Sequence, residues 1–377
     1  MKRMSVQQLR EQCAQRLLAS VEKSSQLKAF VGLDGFVDAI IHLVDVRTDA
    51  RNYTRIPKIE QLAERIAAAA GKSTNIEAVV QRVKLGGNGP IMANALTSFG
   101  MKVTYLGALG HPHLHEVFEE FATRAEVISI AAPGMTDALE FEDGKVMIGK
   151  TSQLNDITWP NIQQRFGREK FCERFFGSDL VGFVNWTMIP FMSDVWESIQ
   201  KELCPDAKGP RRTMFIDLAD PEKRTREDIL RALKLVVAFQ QYFDVILGLN
   251  EKEAWEIGGV LELDMTRRDR EGLYAVAKEI ARQVPVRTLV VHPVTYAFAI
   301  SNGVLSAVEG PYIAKPLITT GAGDHFNAGF CLGKLLGFDD EMAVLTGVTT
   351  SGFYVRNAAS PSVTNLAGML RDWPSGR

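Results

Sequence analysis

Short apolar segments alternate with longer amphipathic segments through the middle and later parts of the chain. The apolar segments have the length of buried strands, and the longer ones repeat their apolar residues at helical spacing. Strands that are joined by helices run parallel, so this alternation predicts a doubly wound, mostly parallel α/β sheet flanked by helices on both faces. The predicted strands are Leu180–Val184, Thr213–Asp217, Val245–Leu249 and Thr288–His292, and the predicted helices are Ser193–Leu203, Thr225–Phe239, Glu251–Ile257 and Gly272–Gln283.

The first half of the chain carries a less regular pattern. Residues 136–150 alternate apolar and polar side chains around Asp143-Gly144, which is a strong hairpin signal. This hairpin lies outside the strand–helix alternation, and it is either a small β lid over a site or a decoration of the surface. The other elements predicted here are a strand at Ala29–Leu33 that ends at Asp34-Gly35, strand-like segments up to Val46, a helix at Ile59–Ala70, a helix from the glycines at 86, 87 and 89 to Phe99, and a strand at Val103–Leu106.

The 377 residues show no internal repeat and no clear linker, so we predict one α/β domain over residues 28–377 and a helical extension over residues 1–27. The extension forms a helix from about residue 5 to 21, with an apolar stripe made of Val6, Leu9, Cys13, Leu17 and Val21. This stripe packs either on the domain or on a second subunit. Within the domain, we assign the lid strands to residues from about 36–47 and 126–152.

The charge balance excludes several classes of partner. Lys and Arg total 43 against 45 Asp and Glu, which gives a formal net charge of -2. Such a balance offers no basic surface for nucleic acid or an anionic membrane, and a small molecule is the expected partner.

The N-terminal segment lacks the apolar region of a secretory signal, and the cysteines have neither disulfide-like nor metal-like spacing, so we expect a cytoplasmic protein. The cysteines are Cys13, Cys172, Cys204 and Cys331.

The most informative segment is the glycine-rich turn at residues 320–324, which leads into an apolar helix that runs to about Leu336. The first backbone amides of a helix have no partner within the helix, and the helix dipole at that end favours anions. Because Gly321 and Gly323 have no side chain, a phosphate group can approach their amides closely. An acid such as Asp324 in the first turn either caps the helix or takes part in chemistry at the turn.

Four segments of the chain, in order, carry a family resemblance. The turn Gly321-Ala322-Gly323-Asp324, followed by Phe326 and Gly329-Phe330, resembles the signature D-T-x-G-A-G-D-x-F-x-x-G-F of the ribokinase-like (PfkB) carbohydrate kinases. The other three segments are Gly86–Gly89 with Ala93 and Gly100, which resembles that family's glycine pair and following helix, Asn250–Ala254, which matches its N-x-x-E element, and Ala358–Ser362, which is similar to its closing turn. The resemblance spans about Ala29 to the C terminus, and it implies the ribokinase-like fold and an ATP-dependent carbohydrate kinase.

The resemblance also implies roles for individual residues. Asp324 is implied to be the general base for the acceptor hydroxyl, and the amides of Gly321, Ala322 and Gly323 an anion hole for the transferred phosphoryl group. Asn250 and Glu253 are implied to hold Mg²⁺ through water, and Asn250, Thr320 and Gly323 to contact the nucleotide. Asn250 and Glu253 also have the spacing of a capping box, and one pair of residues can serve both purposes.

On the acceptor side, the resemblance favours an acid shortly after the first strand, because a carboxylate accepts hydrogen bonds from sugar hydroxyls. Asp38 is the main candidate, and Asp34 is its rival, although Asp34-Gly35 is also typical of a simple turn. Gly86, Gly87 and Asn88 are expected to line the same pocket. Asp217 and Asp220 lie where the family often has an acid, but Asp220-Pro221 equally suits a turn before a helix.

Three positions depart from the family pattern. Ile318 replaces the first Asp of the signature and has no side-chain oxygen, which argues against activation by a monovalent cation such as potassium. His292, followed by Pro293-Val294, replaces a glycine-containing turn beside the nucleotide, and we interpret it as a strand-end residue with local hydrogen bonds. Ile91 stands where an Asn is usual, with Asn94 almost one helical turn further on, so the acceptor can differ from ribose.

We therefore predict a small-molecule kinase that transfers the γ-phosphate of ATP to a hydroxyl of a sugar or a sugar-like acceptor. The alternatives are a nucleoside kinase of the same fold and a non-catalytic relative that binds a small molecule. A dinucleotide-dependent oxidoreductase fits less well, because Gly86–Gly89 lacks the complete G-x-G-x-x-G pattern. The resemblance also implies a homodimer that forms through the lids.

Overall fold

The structure, a computed structural model, describes residues 4–374 and is built on two β-sheets. The strands in this part of the chain are β1 Lys28–Leu33, β2 Phe36–Arg47, β3 Tyr53–Arg55, β4 Ala78–Gly86, β5 Lys102–Gly107, β6 Glu126–Ser129, β7 Gly134–Glu140, β8 Lys145–Lys150, β9 Leu180–Val184, β10 Arg212–Asp217, β11 Phe243–Asn250, β12 Thr288–His292, β13 Tyr296–Ser301 and β14 Val304–Glu309. The helices are α1 Val6–Ala19, α2 Val21–Gln26, α3 Ile59–Ala68, α4 Asn88–Ser98, α5 Glu119–Ala122, α6 Trp159–Arg165, α7 Arg168–Phe176, α8 Met192–Glu202, α9 Arg226–Phe239, α10 Glu251–Val260, α11 Arg270–Gln283, α12 Ala322–Leu335, α13 Asp340–Asn357 and α14 Val363–Arg371. Within residues 4–374, no helix has both the length and the apolar character needed to cross a membrane.

The larger sheet has nine strands, in the order β14-β13-β12-β11-β10-β9-β1-β5-β6. All neighbours from β12 to β6 pair in parallel, which confirms the predicted doubly wound α/β fold. The strands and helices that we predicted between residues 180 and 292 agree with the structure to within a few residues. The antiparallel hairpin of β13 and β14 was not predicted, although its turn carries an Asn302-Gly303 signal with positive φ at both residues.

Two hydrophobic cores lie on the two faces of this sheet. On β1, Phe30 belongs to one core and Val31 to the other, and on β10 Ile216 and Phe215 divide in the same way. Strands that are buried on both faces have nearly continuous apolar sequences, as these do. The helix α12 packs against α4 and α13 and is buried on nearly all sides, so its first turn is held rigidly at the edge of the sheet.

The N-terminal extension packs on the domain. Leu9, Cys13 and Leu17 of α1 are buried, and the helix lies against α14 and α13. The other two residues of the predicted stripe are exposed, Val6 to 62% and Val21 to 43%. The single helix that we predicted to residue 21 was wrong at its end, because α1 stops at Ala19 and the separate helix α2 turns Val21 away from the stripe.

The second, smaller sheet has the order β3-β2-β7-β8, with β4 also paired to β2. The predicted hairpin around Asp143-Gly144 is confirmed as β7 and β8. One face of this sheet packs on α3 through a small core that includes Ile41, Leu43 and Leu62. The strand β4 was missed because most of its residues are exposed, so it lacks a clear apolar signal.

The predicted lid range 126–152 was wrong in its first part. Residues 126–129 form β6, which pairs in parallel with β5 at the edge of the larger sheet. A strand that returns through a helix such as α5 pairs in parallel with the strand before it, and this places β6 beside β5. The part of the second sheet that follows begins only at Gly134.

Candidate active site

A cavity of about 540 Å³ lies between the second sheet and the carboxyl ends of the parallel strands of the larger sheet. Ligands of doubly wound proteins bind at this edge, because the loops and helix N termini meet there. The cavity is lined by polar side chains from both sheets, among them Asp38 and Thr136 from the second sheet and Asp217, Asn250 and Asp324 from the edge of the larger one. The predicted acceptor, base and nucleotide residues are therefore brought together.

Asp324 lies in the first turn of α12 and is only 6% exposed. The residue that precedes the helix is Gly321, which has no side chain to cap it, so Asp324 stands inside the helix rather than at its N-cap. Asn88 donates a hydrogen bond of 3.0 Å from its Nδ2 to Asp324 Oδ1. Burial raises the pKa of Asp324 to about 7, and the bond from Asn88 opposes this shift.

The turn before Asp324 presents a small number of free amides. Gly321 has a φ of +92°, a conformation that suits glycine, and an added side chain would crowd Ile91 and Tyr354. The Ala322 amide donates to the Thr319 carbonyl at 3.1 Å, so the prediction that all three amides of the turn are available was wrong for Ala322. The amides of Gly321 and Gly323 find no acceptor within residues 4–374.

The two acids after the first strand have different surroundings. Asp34 is fully buried and does not line the cavity. Its carboxylate accepts hydrogen bonds of 2.9 Å from the backbone amides of both Asn88 and Gly89, and one of 2.8 Å from Asn185 Nδ2. The Tyr105 hydroxyl donates to it at 3.2 Å. Through the bonds from Asn88 and Gly89, this carboxyl supports the start of α4 from below the cavity. Burial raises the pKa of Asp34 to about 6.

Asp38 lines the cavity from β2 and is 4% exposed. Its carboxyl fills the space that a side chain at Gly86 would occupy, which explains the glycine there. Lys84 lies opposite Asp38 on β4, and Thr136 lies opposite on β7. Burial raises the pKa of Asp38, and the charge of Lys84 lowers it. Gly87 and Asn88 line the same cavity, as we predicted, whereas Gly86 only makes room for Asp38.

Asn250 ends β11 and Glu253 lies in the first turn of α10, and the two form the capping box that the sequence left open. Asn250 Oδ1 accepts from the Glu253 amide at 2.9 Å, and Glu253 Oε2 accepts from the Asn250 amide at 2.8 Å. Glu253 Oε1 also accepts from the amide of Asp220 at 3.0 Å. Both residues still line the cavity, so the cap and a role beside the phosphates remain compatible.

Asp217, whose role the sequence left open, lies at the end of β10 in the wall of the cavity. Its carboxylate accepts from the Ala219 amide at 2.9 Å and from Asn327 Nδ2 at 2.8 Å. Burial and the nearby charge of Asp324 raise the pKa of Asp217. Sequence reasoning missed Asn327, although a polar residue three positions after Asp324 in an apolar helix marks the same helical face. It also missed Asn185, which follows strand β9 directly.

Comparison with known proteins identifies the family. A family model described as prokaryotic ketohexokinase matches residues 4–373. The chain belongs to this family. It is similar to a ketohexokinase from Haloferax volcanii, with 28% identity over 341 residues that cover 90% of this chain and 89% of that protein. As a member of the prokaryotic ketohexokinase family, the protein is an ATP-dependent carbohydrate kinase.

Solved structures with the same fold include three kinases. The ribokinase of Arabidopsis thaliana, solved with ribose and ATP, has a TM-score of 0.64 and 15% identity, over 92% of this chain and 98% of that chain. Phosphofructokinase-2 of Escherichia coli has a TM-score of 0.62 and 12% identity, over 92% and 99% of the two chains. Adenosine kinase of Trypanosoma brucei brucei has a TM-score of 0.63 and 18% identity, over 88% and 99%. These likenesses confirm the predicted ribokinase-like fold of this ketohexokinase-family member.

A second cavity of about 380 Å³ adjoins the first at Gly323 and His292 in this ketohexokinase-family member. Its walls are mainly apolar and include Pro311, Val348 and Val355. The His292 ring lies against Phe326, with ring centroids 4.7 Å apart and the ring planes tilted by 34°. An apolar cavity that opens beside a glycine-rich helix start suits a nucleotide base with its phosphates at the turn.

The two Ile departures from the family signature lie around the same turn. Ile91 packs against Gly321 and lines the first cavity. Ile318 lies in a separate pocket beside His325 and Tyr354, whose rings stack at 3.6 Å. His325 Nδ1 donates to the Gly321 carbonyl at 2.7 Å, and the Tyr354 hydroxyl donates to the Thr320 carbonyl at 3.0 Å. Side chains of the protein therefore bind the carbonyl groups of the turn.

Proposed function

We propose that this protein transfers the γ-phosphate of ATP to a hydroxyl of a ketohexose, with Asp324 as the general base. The observation that carries the proposal is the position of Asp324. Its carboxyl lies where the polar cavity of Asp38 and Asn88 meets the free amides of Gly321 and Gly323. An acceptor hydroxyl held in that cavity lies between a base and an anion-binding turn, which is the arrangement that phosphoryl transfer requires.

The acid–base chemistry follows from the contacts of Asp324. Asn88 binds Oδ1 through its side-chain amide, which leaves Oδ2 to accept the proton of the acceptor hydroxyl. Because burial raises the pKa of Asp324 to about 7, the carboxylate is a stronger base than an exposed aspartate and is still ionised above that pH. The amides of Gly321 and Gly323 donate to the oxygens of the transferred phosphoryl group as it moves towards the acceptor.

We propose that Asp38 binds the hydroxyls of the acceptor, with Asn88 and Thr136 beside it. A carboxylate can accept hydrogen bonds from two neighbouring hydroxyls at once, and a ketohexose offers several. All three side chains line the cavity, and Asp38 and Thr136 lie opposite each other on neighbouring strands. The ketohexose is taken from the family to which the chain belongs, and the polar lining supports it.

ATP and Mg²⁺ fit the residues on the other side of Asp324. Within residues 4–374, no cluster of three or more His, Cys, Asp or Glu side chains is arranged to hold a bare metal ion. Asn250, Glu253 and Asp217 instead line one cavity, where their side chains suit a hydrated Mg²⁺ that arrives with the nucleotide. Bound there, Mg²⁺ would neutralise charge on the phosphates. Asn250, Thr320 and Gly323 would contact the nucleotide.

The contacts of the turn also support activity without a bound monovalent cation. The carbonyl groups of Thr320 and Gly321 already accept hydrogen bonds from Tyr354 and His325. Ile318 offers no side-chain oxygen at the position where the family signature has an acid. We therefore expect equal rates in potassium and in a bulky organic cation of the same concentration.

We propose that the second sheet also forms a homodimer contact. Val80, Val83 and Ile148 of this sheet are each about half exposed, at 52%, 49% and 49%, whereas Met147 points to the other face and lines the cavity. Such a group of exposed apolar side chains on one sheet suits a second copy of the chain. Sedimentation at assay concentration tests this, and a monomer would contradict it.

The deciding experiment is phosphoryl transfer from ATP with Mg²⁺ to a panel of ketohexoses, aldohexoses, ribose and nucleosides. We expect turnover on a ketohexose that falls at least about a thousandfold in Asp324→Asn, because the base is lost. Asp228→Asn is the matched control, since Asp228 occupies the same third position of α9 and does not line the cavity. A preference for a nucleoside would mean that the acceptor is a nucleoside and not a ketohexose. Ligand binding without any turnover would favour a non-catalytic protein.

A further inference from the structure

His292 stands where three cavities meet. It lies at the end of β12 and lines the acceptor cavity, the apolar cavity beside α13, and a third cavity of about 760 Å³ that is also lined by Trp255 and Arg268. A nucleotide with its base in the apolar cavity and its last phosphate at Asp324 must pass this ring. Such a junction is a place where a side chain can contact the phosphates.

The edge of the His292 ring lies beside the anion-binding turn. A side chain built on Gly323 would begin 3.2 Å from His292 Cε1 and 3.8 Å from Nε2. One side of the ring packs against Phe326, with the two ring planes tilted by 34°. The Nε2 edge and the free amide of Gly323 are therefore neighbours, and a phosphate oxygen bound by that amide lies within reach of the ring nitrogen.

Few cationic side chains beside Asp324 are free to bind a polyphosphate. Asp217, Glu253 and Asp324 line the cavity and offer no cation to a polyphosphate. Lys252, which is close by, is occupied by ion pairs to Asp220 and Glu256 at 3.3 and 2.9 Å and by a further pair to Glu222. Lys223 is paired with Asp220 at 3.1 Å. Uncharged N–H groups at the turn are therefore the nearest donors for the phosphate oxygens.

We propose that the imidazole of His292 donates a hydrogen bond to the polyphosphate of the nucleotide at the passage between the apolar cavity and Asp324. The proposal rests on the proposed function, and it adds a donor-binding residue that departs from the family pattern. The proposal requires the neutral imidazole with its proton on Nε2, the ring nitrogen nearest Gly323. The ring then offers one N–H without introducing a positive charge between the carboxylates.

The test separates contact with the phosphates from contact with the base. His292→Phe keeps a ring against Phe326 but removes the N–H. His292→Gln restores a hydrogen-bond donor, the side-chain amide, on a side chain without a ring. Binding of MgATP and of adenosine is measured by calorimetry without any sugar. We expect His292→Phe to weaken MgATP binding about tenfold or more and to leave adenosine binding unchanged, with part of the MgATP affinity recovered in His292→Gln.

Two outcomes would overturn the proposal. Unchanged MgATP affinity in His292→Phe, or an equal loss for MgATP and adenosine, would mean that the ring does not contact the phosphates. If His292→Phe does not fold, the ¹⁵N resonance of Nε2 in the wild-type protein decides, since it must shift on MgATP addition and not on adenosine addition. Because no sugar is present, this result is independent of the acceptor, and absent sugar turnover would refute the proposed function alone.

Discussion

The ionisation of Asp324 is set by neighbours that act in opposite directions. Burial raises its pKa, the charges of Asp34 and Glu253 raise it further, and the hydrogen bond from Asn88 lowers it. To act as the proposed general base, Asp324 must be deprotonated, so a raised pKa brings the expected loss of activity into the neutral range. A side chain that binds the carboxylate therefore extends the pH range over which the enzyme works.

This balance predicts the pH profile of a single substitution. In the wild type, kcat/KM for the acceptor should fall as the pH drops below about 7, the value to which burial raises the pKa of Asp324. Asn88→Ala removes the bond that favours the ionised form, so the acidic limb should move up by about one pH unit. The control is Asn357→Ala, at an exposed position on α13. A limb that stays in place or moves down would show that Asn88 does not act on the base.

At individual positions, the sequence could name the residue types but not always separate them. Asp34 and Asp38 both follow the first strand, and only the structure shows Asp34 below the start of α4 and Asp38 on the cavity. The choice depends on how the chain turns between β1 and β2, which local spacing does not encode. The Ala322 amide is a similar case, because the closing bond to Thr319 depends on the geometry of the turn.

At the scale of elements, the structure explains which predictions succeeded. The helix–strand units after residue 180 have strong periodic signals because each helix buries one face and each strand is buried on both. The strand β4 gives little signal, since exposed side chains dominate it and its place is set by pairing with β2. Tertiary pairing of this kind cannot be read from a local pattern.

The N-terminal extension allows a direct test at this scale. Leu17 of α1 is fully buried against the domain, while the adjacent Leu18 is 37% exposed. Leu17→Ala should lower the free energy of unfolding by about 2–5 kcal/mol because it leaves a cavity under the helix. Leu18→Ala is the matched control and should change it by at most about 0.5 kcal/mol. Chemical denaturation measures both, and equal effects would mean that the extension does not pack as described.

For the whole molecule, we expect the buried acids of the cavity to serve catalysis and to lower the stability of the fold. Burial and the charge of Asp324 raise the pKa of Asp217, so the folded protein holds a proton there that the unfolded chain releases at about pH 4. As the pH rises from that value towards the folded pKa, folding must take up a proton from a solution that offers fewer of them. The stability of the wild type therefore falls over this range relative to a variant that is neutral at this position.

Asp217→Asn is such a variant. The Asn327 Oδ1 atom has no partner within residues 4–374, so its amide can turn to accept a hydrogen bond from the new side chain. We expect the variant to match the wild type near pH 4 and to gain a few degrees in Tm near pH 8, with reduced kinase activity. Scanning calorimetry across this range measures the difference. If Asp217→Asn lost stability relative to the wild type as the pH rises, the inferred repulsion between Asp217 and Asp324 would be contradicted.

The two sheets contribute different parts of the site. Asp38 and Thr136 project from the smaller sheet, whereas Asp324 and its glycine turn belong to the helix at the edge of the larger one. Mutations in the smaller sheet can therefore alter which sugar is accepted while the machinery of transfer is inherited unchanged. Kinases that descend from one ancestor can therefore come to accept different sugars while the residues for phosphoryl transfer stay the same.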